Sequence, residues 1–390
     1  MDSDRINWKV LILLSLGHCV TDIYNGSLPV ILPFLKAKLD LSYTTAGVIL
    51  IASNVASSVV QPLFGYYSDK KEKPFLLPAG CLLAGTAFAL LSLPSSYALI
   101  LLLTLLSGLG VAAYHPEGFK TASFFTGKRA AMGMSVFSVG GNLGFAIAPI
   151  LTLFVIKHFG LDYLPVMIIP AISFVILLLI LWKMISVPDH VTAGRKKNDA
   201  KKPPKGAYGA LTMVIAAVVM RSWVQFGLIS YVPFYYIDYL KGDPMYAGQL
   251  LSVFLISGVL GTLSGGQVAD RWGHKRLFVV SMGLTGLIFP FIFFTTGFML
   301  LVVFAVLGFV LVSSFAVTTV MSQKLLPNNI GMASGLTVGF AIGTGGVGVT
   351  LLGVIADTYG VPAALQFIGV LPFIGFLICL MIKYPSASKV

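Results

Sequence analysis

Long apolar runs, separated by short clusters of charged and turn-forming residues, dominate the sequence. A helix needs about 20 apolar residues to cross the hydrocarbon core of a bilayer. Cutting the chain at the polar clusters predicts twelve membrane-spanning helices, at 9–34, 44–67, 75–94, 97–123, 130–156, 163–185, 208–237, 246–269, 277–296, 298–323, 331–356 and 361–383. The pattern therefore predicts an all-α integral membrane protein.

Composition supports this prediction. The 390 residues are 57% hydrophobic and 10% charged, whereas a soluble domain is roughly a quarter charged. The three cysteines, Cys19, Cys81 and Cys379, lie far apart in apolar runs, so we expect neither a disulfide framework nor a metal site. The sequence contains no Walker loop, nucleophile elbow or His-Glu-x-x-His motif, and we predict that the protein is not an enzyme.

The basic residues set the expected orientation. The formal net charge of +12 could suggest a nucleic-acid partner, but the Lys and Arg residues lie in loops between apolar segments. Of the 26, 21 fall on the side of the N terminus, four on the opposite side, and Arg221 lies within a span. By the positive-inside rule, we predict a multi-pass protein of a bacterial plasma (inner) membrane with both termini cytoplasmic, without a nucleic-acid partner.

The two halves of the chain repeat each other. Five landmarks recur at an offset of 200 or 201 residues, namely Pro33, Ala46, Asp69, Gly85 and Gly108 with Pro233, Ala247, Asp270, Gly286 and Gly308. Residues 187–206 are polar, basic and broken by prolines, which is typical of a linker. We predict a six-helix bundle at 1–186, a cytoplasmic linker at 187–206 and a second six-helix bundle at 207–390.

The loop after the eighth predicted helix carries a family signature. Its sequence, Gly266-Gln-Val-Ala-Asp-Arg-Trp-Gly-His-Lys-Arg276, resembles the signature loop of the major facilitator superfamily, whose fold is two parallel six-helix repeats. The matching loop, Gly65 to Pro74, keeps the Gly and Asp but has Glu72 where a second Gly is usual. The resemblance implies that Asp69, Asp270 and Arg271 control the balance between conformations.

Two shorter motifs narrow the resemblance. Residues 113–118, Ala-Tyr-His-Pro-Glu-Gly, and residues 140–144, Gly-Gly-Asn-Leu-Gly, are similar to the fosmidomycin-resistance group of efflux proteins. This resemblance implies a proton-driven antiporter for drug efflux and antibiotic resistance, with a small phosphonate anion as substrate. The proton gradient would be the energy source, and we expect no cofactor.

Ionisable residues inside the membrane are costly and indicate function. In the first helix, His18, Asp22, Asn25 and Pro29 lie on one face. Because burial favours the neutral carboxyl group and a nearby cation favours the carboxylate, alternating access can make Asp22 take up and release a proton. The alternative is a static hydrogen-bonded anchor between Asp22 and His18.

The fourth helix carries a second ionisable group. His115, Glu117 and Lys120 surround Pro116 and Gly118, where we expect a kink. We assign Glu117 to proton exchange, with His115 tuning it or relaying the proton. The alternative is an ion pair of Glu117 with Lys120 that neutralises both. Many proton-coupled relatives carry an Arg on this helix, and here the basic residue is Lys120.

Arg221 is the basic residue predicted to lie deep in the seventh helix. Its planar guanidinium suits carboxylate or phosphonate oxygens, so we predict anion binding, with a structural salt bridge to Asp22 as the alternative. The predicted substrate-binding residues are Arg221, Gln225, Asn25, Tyr24, Asn142 and Tyr231. Aromatic residues of this helix could equally contact lipid.

The fifth helix has Gly140, Gly144 and Ala148 at four-residue spacing before Pro149. Such a face of small residues permits close helix contact and rocking. It partly resembles the antiporter signature of the superfamily, and we assign Gly140, Gly144 and Pro149 to conformational change.

These patterns lead to one functional prediction and its competitors. We predict a proton-coupled secondary transporter that exports a small, anionic drug or metabolite by alternating access, acting as a monomer among membrane lipids. The alternative is proton-coupled uptake of a small organic anion or another metabolite. A transport-inactive sensor or an intramembrane enzyme belongs to a different class, and an ATP-driven pump is disfavoured because the Walker loop is missing.

Overall fold

A computed structural model of the protein describes residues 5–71, 73–186, 203 and 206–384. Nearly all of the predicted linker, residues 187–206, lies outside the described residues, as does Glu72 of the first signature loop. In the described part of the chain the regular elements are all helical.

Twelve helical segments, α1 to α12, occur within the described residues. In chain order their bounds are Trp8–Leu39, 43–69, Leu76–Ser92, Tyr97–Ser123, Ala130–Phe159, 161–185, Ala207–Tyr239, Pro244–Trp272, His274–Phe293, Gly297–Leu325, Ile330–Tyr359 and Val361–Met381. Every predicted helix is confirmed, and every boundary except the end of α1 lies within three residues of its prediction.

The end of α1 was placed too early. The helix continues to Leu39 rather than stopping at residue 34, and it closes on Asp40 in a left-handed conformation. Lys36 and Lys38 looked like loop residues, but positive charge is favourable at a helix C-terminus. Lys38 Nζ also donates hydrogen bonds to the Ser92 carbonyl at 2.6 Å and to Asp162 at 3.0 Å, which fixes this last turn.

Ten of these helices are long and apolar enough to span a membrane, judged by length and composition. The other two in the described chain are α1 and α3. The middle of α1 carries His18, Asp22 and Asn25, which lower its hydropathy, and α3 is shorter than 18 residues. The long helix with the lowest hydropathy is thus the one that carries His18 and Asp22.

The sequence repeat is also a repeat of backbone conformation. The described non-glycine residues with positive φ are Asp40, at 50°, and Lys241, at 54°, which are 201 residues apart. Left-handed backbone is uncommon for residues other than glycine. A side chain on Gly108 would meet the Ser53 carbonyl, and one on Gly308 would meet the Phe254 carbonyl. Each repeat therefore has the same turn and the same close approach.

The contacts divide the chain into two compact units. The first contains residues 1–128, 136–202 and 327–340, and the second contains 129–135, 203–326 and 341–390. Each unit thus includes a short segment from the other half of the sequence. The predicted bundle boundaries at residues 186 and 207 stay a prediction.

Two π-helical turns of the first unit lie next to Gln61. Val55–Val59 interrupts α2 just before Gln61, and Gly335–Phe340 interrupts α11 where it packs on Gln61. Such turns are rare and frequently occur at functional positions.

Candidate functional site

Three ionisable side chains meet inside the first unit. His18 Nε2 of α1 lies 3.3 Å from Asp22 Oδ2, and His115 Nε2 of α4 lies 3.0 Å from Asp22 Oδ1. All three are buried, with exposed fractions of 4%, 3% and 6% for His18, Asp22 and His115. The ring nitrogens and carboxylate oxygens that face each other all lie within 4.8 Å of one another. We name these three residues the acidic cluster.

Aromatic rings enclose the His18 side of the acidic cluster. The His18 ring stacks on Phe137 of α5 with centroids 4.5 Å apart, and Phe119 meets its edge at 5.7 Å. His18 Nδ1 lies 2.9 Å from the Phe137 carbonyl oxygen. The ring is therefore held in one orientation between α1 and α5.

Gln61 of α2 extends the cluster on the His115 side, and the sequence reasoning missed it. Gln61 Nε2 lies 3.2 Å from His115 Nδ1 and donates to the Ser57 carbonyl at 2.6 Å. The side chain is buried, and its Oε1 has no hydrogen-bond partner among the described residues. A signal was available, because Ser53, Ser57 and Gln61 recur every four residues in an apolar helix.

Gly141 of α5 also belongs to the site and was missed. A Cβ atom there would lie 2.5 Å from both Asp22 Oδ2 and His18 Nε2. Only glycine leaves room for the acidic cluster between α1 and α5. Gly141 is part of the motif at residues 140–144, but a role was predicted only for Gly140, Asn142 and Gly144.

Glu117 and Lys120 of α4 form a separate buried pair, with Lys120 Nζ 3.2 Å from Glu117 Oε1. Lys120 Nζ also donates to the carbonyl oxygens of Ser68, at 2.5 Å, and Lys71, at 3.2 Å. These carbonyls belong to the C-terminal end of α2, where a cation is favourable. The geometry is that of the alternative, an ion pair of Glu117 with Lys120, extended to the end of a neighbouring helix. The assignment of Glu117 to proton exchange stays a prediction.

Asp69 holds the N-terminus of α11. Its Oδ1 and Oδ2 accept hydrogen bonds from the backbone amides of Gly331 and Met332 at 2.9 and 3.0 Å. The first amides of a helix have no partner within the helix, and their dipoles favour an anion. Asp69 therefore acts as a cap supplied from another part of the chain.

Asp270 makes the equivalent contact in the second unit. Its two carboxylate oxygens accept from the amides of Ala131 and Met132, at 3.0 and 2.9 Å, at the N-terminus of α5. His274 Nε2 lies 3.6 Å from the same carboxylate. Arg271, predicted to act with Asp270, is exposed.

Arg221 lies inside the second unit and is 1% exposed. Its Nη1 has long contacts of 3.5 Å to Ser314 and 3.4 Å to Thr318, and the guanidinium carbon lies 5.2 Å from the ring centroid of Phe315. Nε has no hydrogen-bond partner among the described residues. The guanidinium is thus buried with few of its five donors satisfied.

A sequence profile of the Major Facilitator Superfamily matches residues 14–337 and, in a second match, residues 214–390. The chain belongs to this superfamily. Its members are transporters, so the protein is a multi-pass membrane transporter of small molecules and not an enzyme. Asp69 and Asp270 lie in the two loops that resemble the signature loop of this superfamily.

Two relatives of this superfamily member match nearly the whole chain. The uncharacterized MFS-type transporter YfnC of Bacillus subtilis strain 168 is 31% identical over 98% of this chain and 94% of its own. The fosmidomycin resistance protein of Escherichia coli strain K12 is 30% identical over 96% of this chain and 92% of its own. The resemblance to the fosmidomycin-resistance group is thereby confirmed.

A solved structure shows the same fold. The crystal structure of the E. coli fucose:proton symporter FucP superposes with a TM-score of 0.72 and covers 98% of this chain and 100% of its own, at 14% identity. The likeness confirms the predicted major facilitator fold of two six-helix repeats.

The remaining predicted substrate residues lie in different surroundings. Gln225 and Asn142 are half-buried, and Asn25 lines a small cavity of the first unit. Tyr24 donates to the Met167 carbonyl at 3.0 Å, and Tyr231 donates to the Val349 carbonyl at 2.9 Å. The hydroxyls of both tyrosines are therefore occupied by neighbouring helices in this conformation.

The small-residue face of α5 packs on α1. A side chain at Gly140 would meet Ser15, and one at Gly144 would meet the Cys19 carbonyl. Pro149 is half-buried within α5. The close contact that these residues were expected to permit lies directly beside the acidic cluster.

Proposed function

We propose that this superfamily member is a proton-coupled antiporter that exports a small anion of the phosphonate class by alternating access. The 30% identity to the fosmidomycin resistance protein, over most of both chains, supports an exporter of this kind. We also propose that it acts in the bacterial inner membrane as a monomer, with both termini cytoplasmic. The excess of basic residues in the loops on that side supports the orientation.

The acidic cluster is the observation that carries the proton-coupling proposal. A charged side chain at the centre of a membrane helix costs about 3 kcal/mol on insertion scales. Here a carboxyl group and two imidazoles lie together in α1 and α4, bonded mainly to one another. Because Asp and His can each gain or lose a proton, the cluster can exist with one net charge more or less. That property is what a proton-driven cycle requires.

Arg221 supports an anionic substrate. A guanidinium offers donors in a planar fork that matches the oxygens of a phosphonate or carboxylate. In this conformation its partners are two distant hydroxyls and an aromatic ring, so an anion would supply hydrogen bonds that the protein does not. Its burial requires an opening motion for access, which alternating access provides.

Asp69 and Asp270 support a role in conformational control. Each carboxylate accepts two backbone hydrogen bonds at the N-terminus of a helix. Such charge-assisted bonds are roughly twice as strong as neutral ones. Any conformation that separates these partners must replace the bonds, so the two contacts stabilise the conformation in which both exist.

The proposal is tested by transport in proteoliposomes that contain the purified full-length chain. A pH gradient is imposed, and accumulation of labelled fosmidomycin is measured with the gradient in each direction. We expect fosmidomycin to move against its concentration when protons flow the opposite way. Accumulation driven by protons on the substrate's own side would replace the antiporter with an uptake symporter. Transport that ignores the gradient would remove proton coupling altogether.

A further inference from the structure

The hydrogen-bond partners of Gln61 determine how its amide is oriented. A backbone carbonyl oxygen can only accept a hydrogen bond. The Ser57 carbonyl lies 2.6 Å from one amide atom of Gln61, so that atom must be Nε2, because the reverse assignment would place two oxygens in contact. The same Nε2 faces His115 Nδ1 at 3.2 Å. Gln61 therefore donates to His115.

This orientation fixes the tautomer of His115. Since Nδ1 accepts a hydrogen bond from Gln61, it carries no hydrogen itself, and the ring is neutral with its hydrogen on Nε2. Nε2 lies 3.0 Å from Asp22 Oδ1. His115 is thus a neutral donor to Asp22, and protonating Nδ1 would set two donors against each other.

His18 carries its hydrogen on the other ring nitrogen, Nδ1. Its Nδ1 faces the Phe137 carbonyl oxygen at 2.9 Å, so Nδ1 must carry a hydrogen. Nε2 then faces Asp22 Oδ2 at 3.3 Å. Two lone pairs at that distance would repel, so one proton lies between them, either on the imidazolium or on the carboxyl group.

We propose that Gln61 is a positioning residue that keeps His115 neutral, so that the exchangeable proton is confined to the contact between Asp22 Oδ2 and His18 Nε2. This inference rests on the proposed proton coupling and deepens it, because it names the two atoms that share the proton. It also removes His115 from the titrating groups and makes it a fixed hydrogen-bond donor.

The other groups that face the acidic cluster do not take the place of His18 as the partner that shares a proton with Asp22. Cys19 of α1 and Tyr114 of α4 interact electrostatically with Asp22, and the Tyr114 hydroxyl donates to the Leu14 carbonyl at 3.1 Å. From α5 the residues that face the cluster are Phe137, Gly141 and Gly144, and none of them has a side chain that titrates. Glu117 and Lys120 pair with each other and with the end of α2.

Gly339 of α11 offers a way to move Gln61 without changing a polar group. A Cβ atom at Gly339 would overlap the Gln61 side chain, at 2.6 Å from both Cδ and Oε1. Both residues belong to the first unit. Gly339→Ala should therefore displace the amide from His115. Gly47→Ala on α2 is a matched control, because its Cβ would meet nothing within 4 Å.

The test is magic-angle-spinning NMR of the full chain, labelled with 15N-histidine, in lipid bilayers. The signals of His115 and His18 are assigned as those lost in His115→Asn and His18→Asn. In the unsubstituted protein we expect His115 to keep an unprotonated Nδ1 between about pH 5 and 8, the range in which histidine ordinarily titrates. For His18 we expect a hydrogen on Nδ1 throughout, because that atom faces the Phe137 carbonyl oxygen.

In Gln61→Met and in Gly339→Ala, we expect His115 Nδ1 to become protonated as the pH falls, whereas Gly47→Ala should behave as the unsubstituted protein. A His115 ring that titrates in the unsubstituted protein, or that stays unchanged in both variants, overturns the inference. Flux in proteoliposomes separates this result from the proposed function. If flux follows the gradient but His115 titrates, the antiporter stands and the proton assignment is wrong. If flux ignores the gradient but His115 keeps an unprotonated Nδ1, the antiporter is wrong and the hydrogen-bond arrangement of His115 stands.

Discussion

In the first repeat, Asp22 of α1 meets His115 of α4, whereas in the second repeat Arg221 of α7 lies against Phe315 of α10. Asp22 and Arg221 are 199 residues apart, and His115 and Phe315 are 200 apart. Equivalent helices thus carry an acid bonded to a histidine in one repeat and a base against an aromatic ring in the other.

The difference between the two places lies in how well the charge is satisfied. Both oxygens of Asp22 have an imidazole partner within 3.3 Å, while Arg221 has two long hydroxyl contacts and an unpaired Nε. A buried charge without a partner is destabilising. Under the proposed function, the first site would handle a proton with the protein's own groups, and the second would offer its donors to an external anion.

The largest effect is expected from Asp22→Asn. The amide keeps the size of the side chain but cannot exchange a proton with His18, so transport driven by a pH gradient should fall at least about tenfold, equivalent to 1.4 kcal/mol. Exchange of labelled for unlabelled substrate without a gradient should continue. Both rates are measured in proteoliposomes.

Asp162→Asn is the matched control, because the Asp162 side chain is 80% exposed and the amide oxygen can still accept the hydrogen bond from Lys38. This change should leave both rates unaltered. If Asp22→Asn retained full gradient-driven transport, the acidic cluster would lose its part in coupling, and the contrast between the repeats would have no functional meaning.

The second effect is expected from Arg221→Met. Loss of charge-assisted hydrogen bonds worth about 1.5–3 kcal/mol should weaken anion binding roughly 10- to 150-fold. The melting temperature should hold or rise, since an apolar side chain suits the site better than an unpaired charge. Isothermal titration with fosmidomycin and thermal unfolding in detergent give the two quantities.

The exposed Arg276 provides the control for this substitution, and Arg276→Met should change neither quantity. A marked fall in the melting temperature of Arg221→Met, with binding unchanged, would show that Arg221 serves the fold of the second unit and not the substrate.

The third effect comes from exchanging the equivalent residues. His115→Phe leaves Asp22 Oδ1 without its partner and leaves Gln61 Nε2 with the Ser57 carbonyl alone. A buried group without a partner costs about 1–3 kcal/mol. Phe315→His removes a cation–π contact worth about 0.5–2 kcal/mol. Thermal unfolding should therefore show the larger loss for His115→Phe. Equal losses would mean that the two sites are satisfied to the same degree.

The smallest effects are expected at the two helix caps, where the repeats are alike. Asp69→Asn and Asp270→Asn should each lower stability by about 1 kcal/mol, as for other N-cap changes, because the amide keeps one of the two acceptor oxygens. Exposed Asp357→Asn is the control. Very different losses for Asp69 and Asp270 would break the symmetry between the two signature loops.

Most of the fold could be predicted from the sequence because helix length is set by bilayer thickness and polar clusters mark the turns. The prediction was wrong at the end of α1, where Lys36 and Lys38 have the charge of loop residues and the geometry of a helix C-terminus. Hydropathy alone could not separate these two environments.

The sequence could predict which site residues share a face of one helix, but not which residues of different helices meet. The spacing of His18 and Asp22 places them on one face, but no periodicity gives the register of α1 against α4, which brings His115 to Asp22. Gln61 and Gly141 matter because of what they contact on other helices. Contacts of that kind depend on tertiary packing, which a single sequence does not encode in any local pattern.

The exchange of short segments between the two units bears on how the protein can be produced. Asp69 needs the amides of Gly331 and Met332, and Asp270 needs those of Ala131 and Met132. A gene divided within codons 187–206 would therefore yield two fragments, each lacking the stretch that its own aspartate caps. Made separately, such fragments should be degraded by the cell's quality-control proteases, and made together they should complement one another.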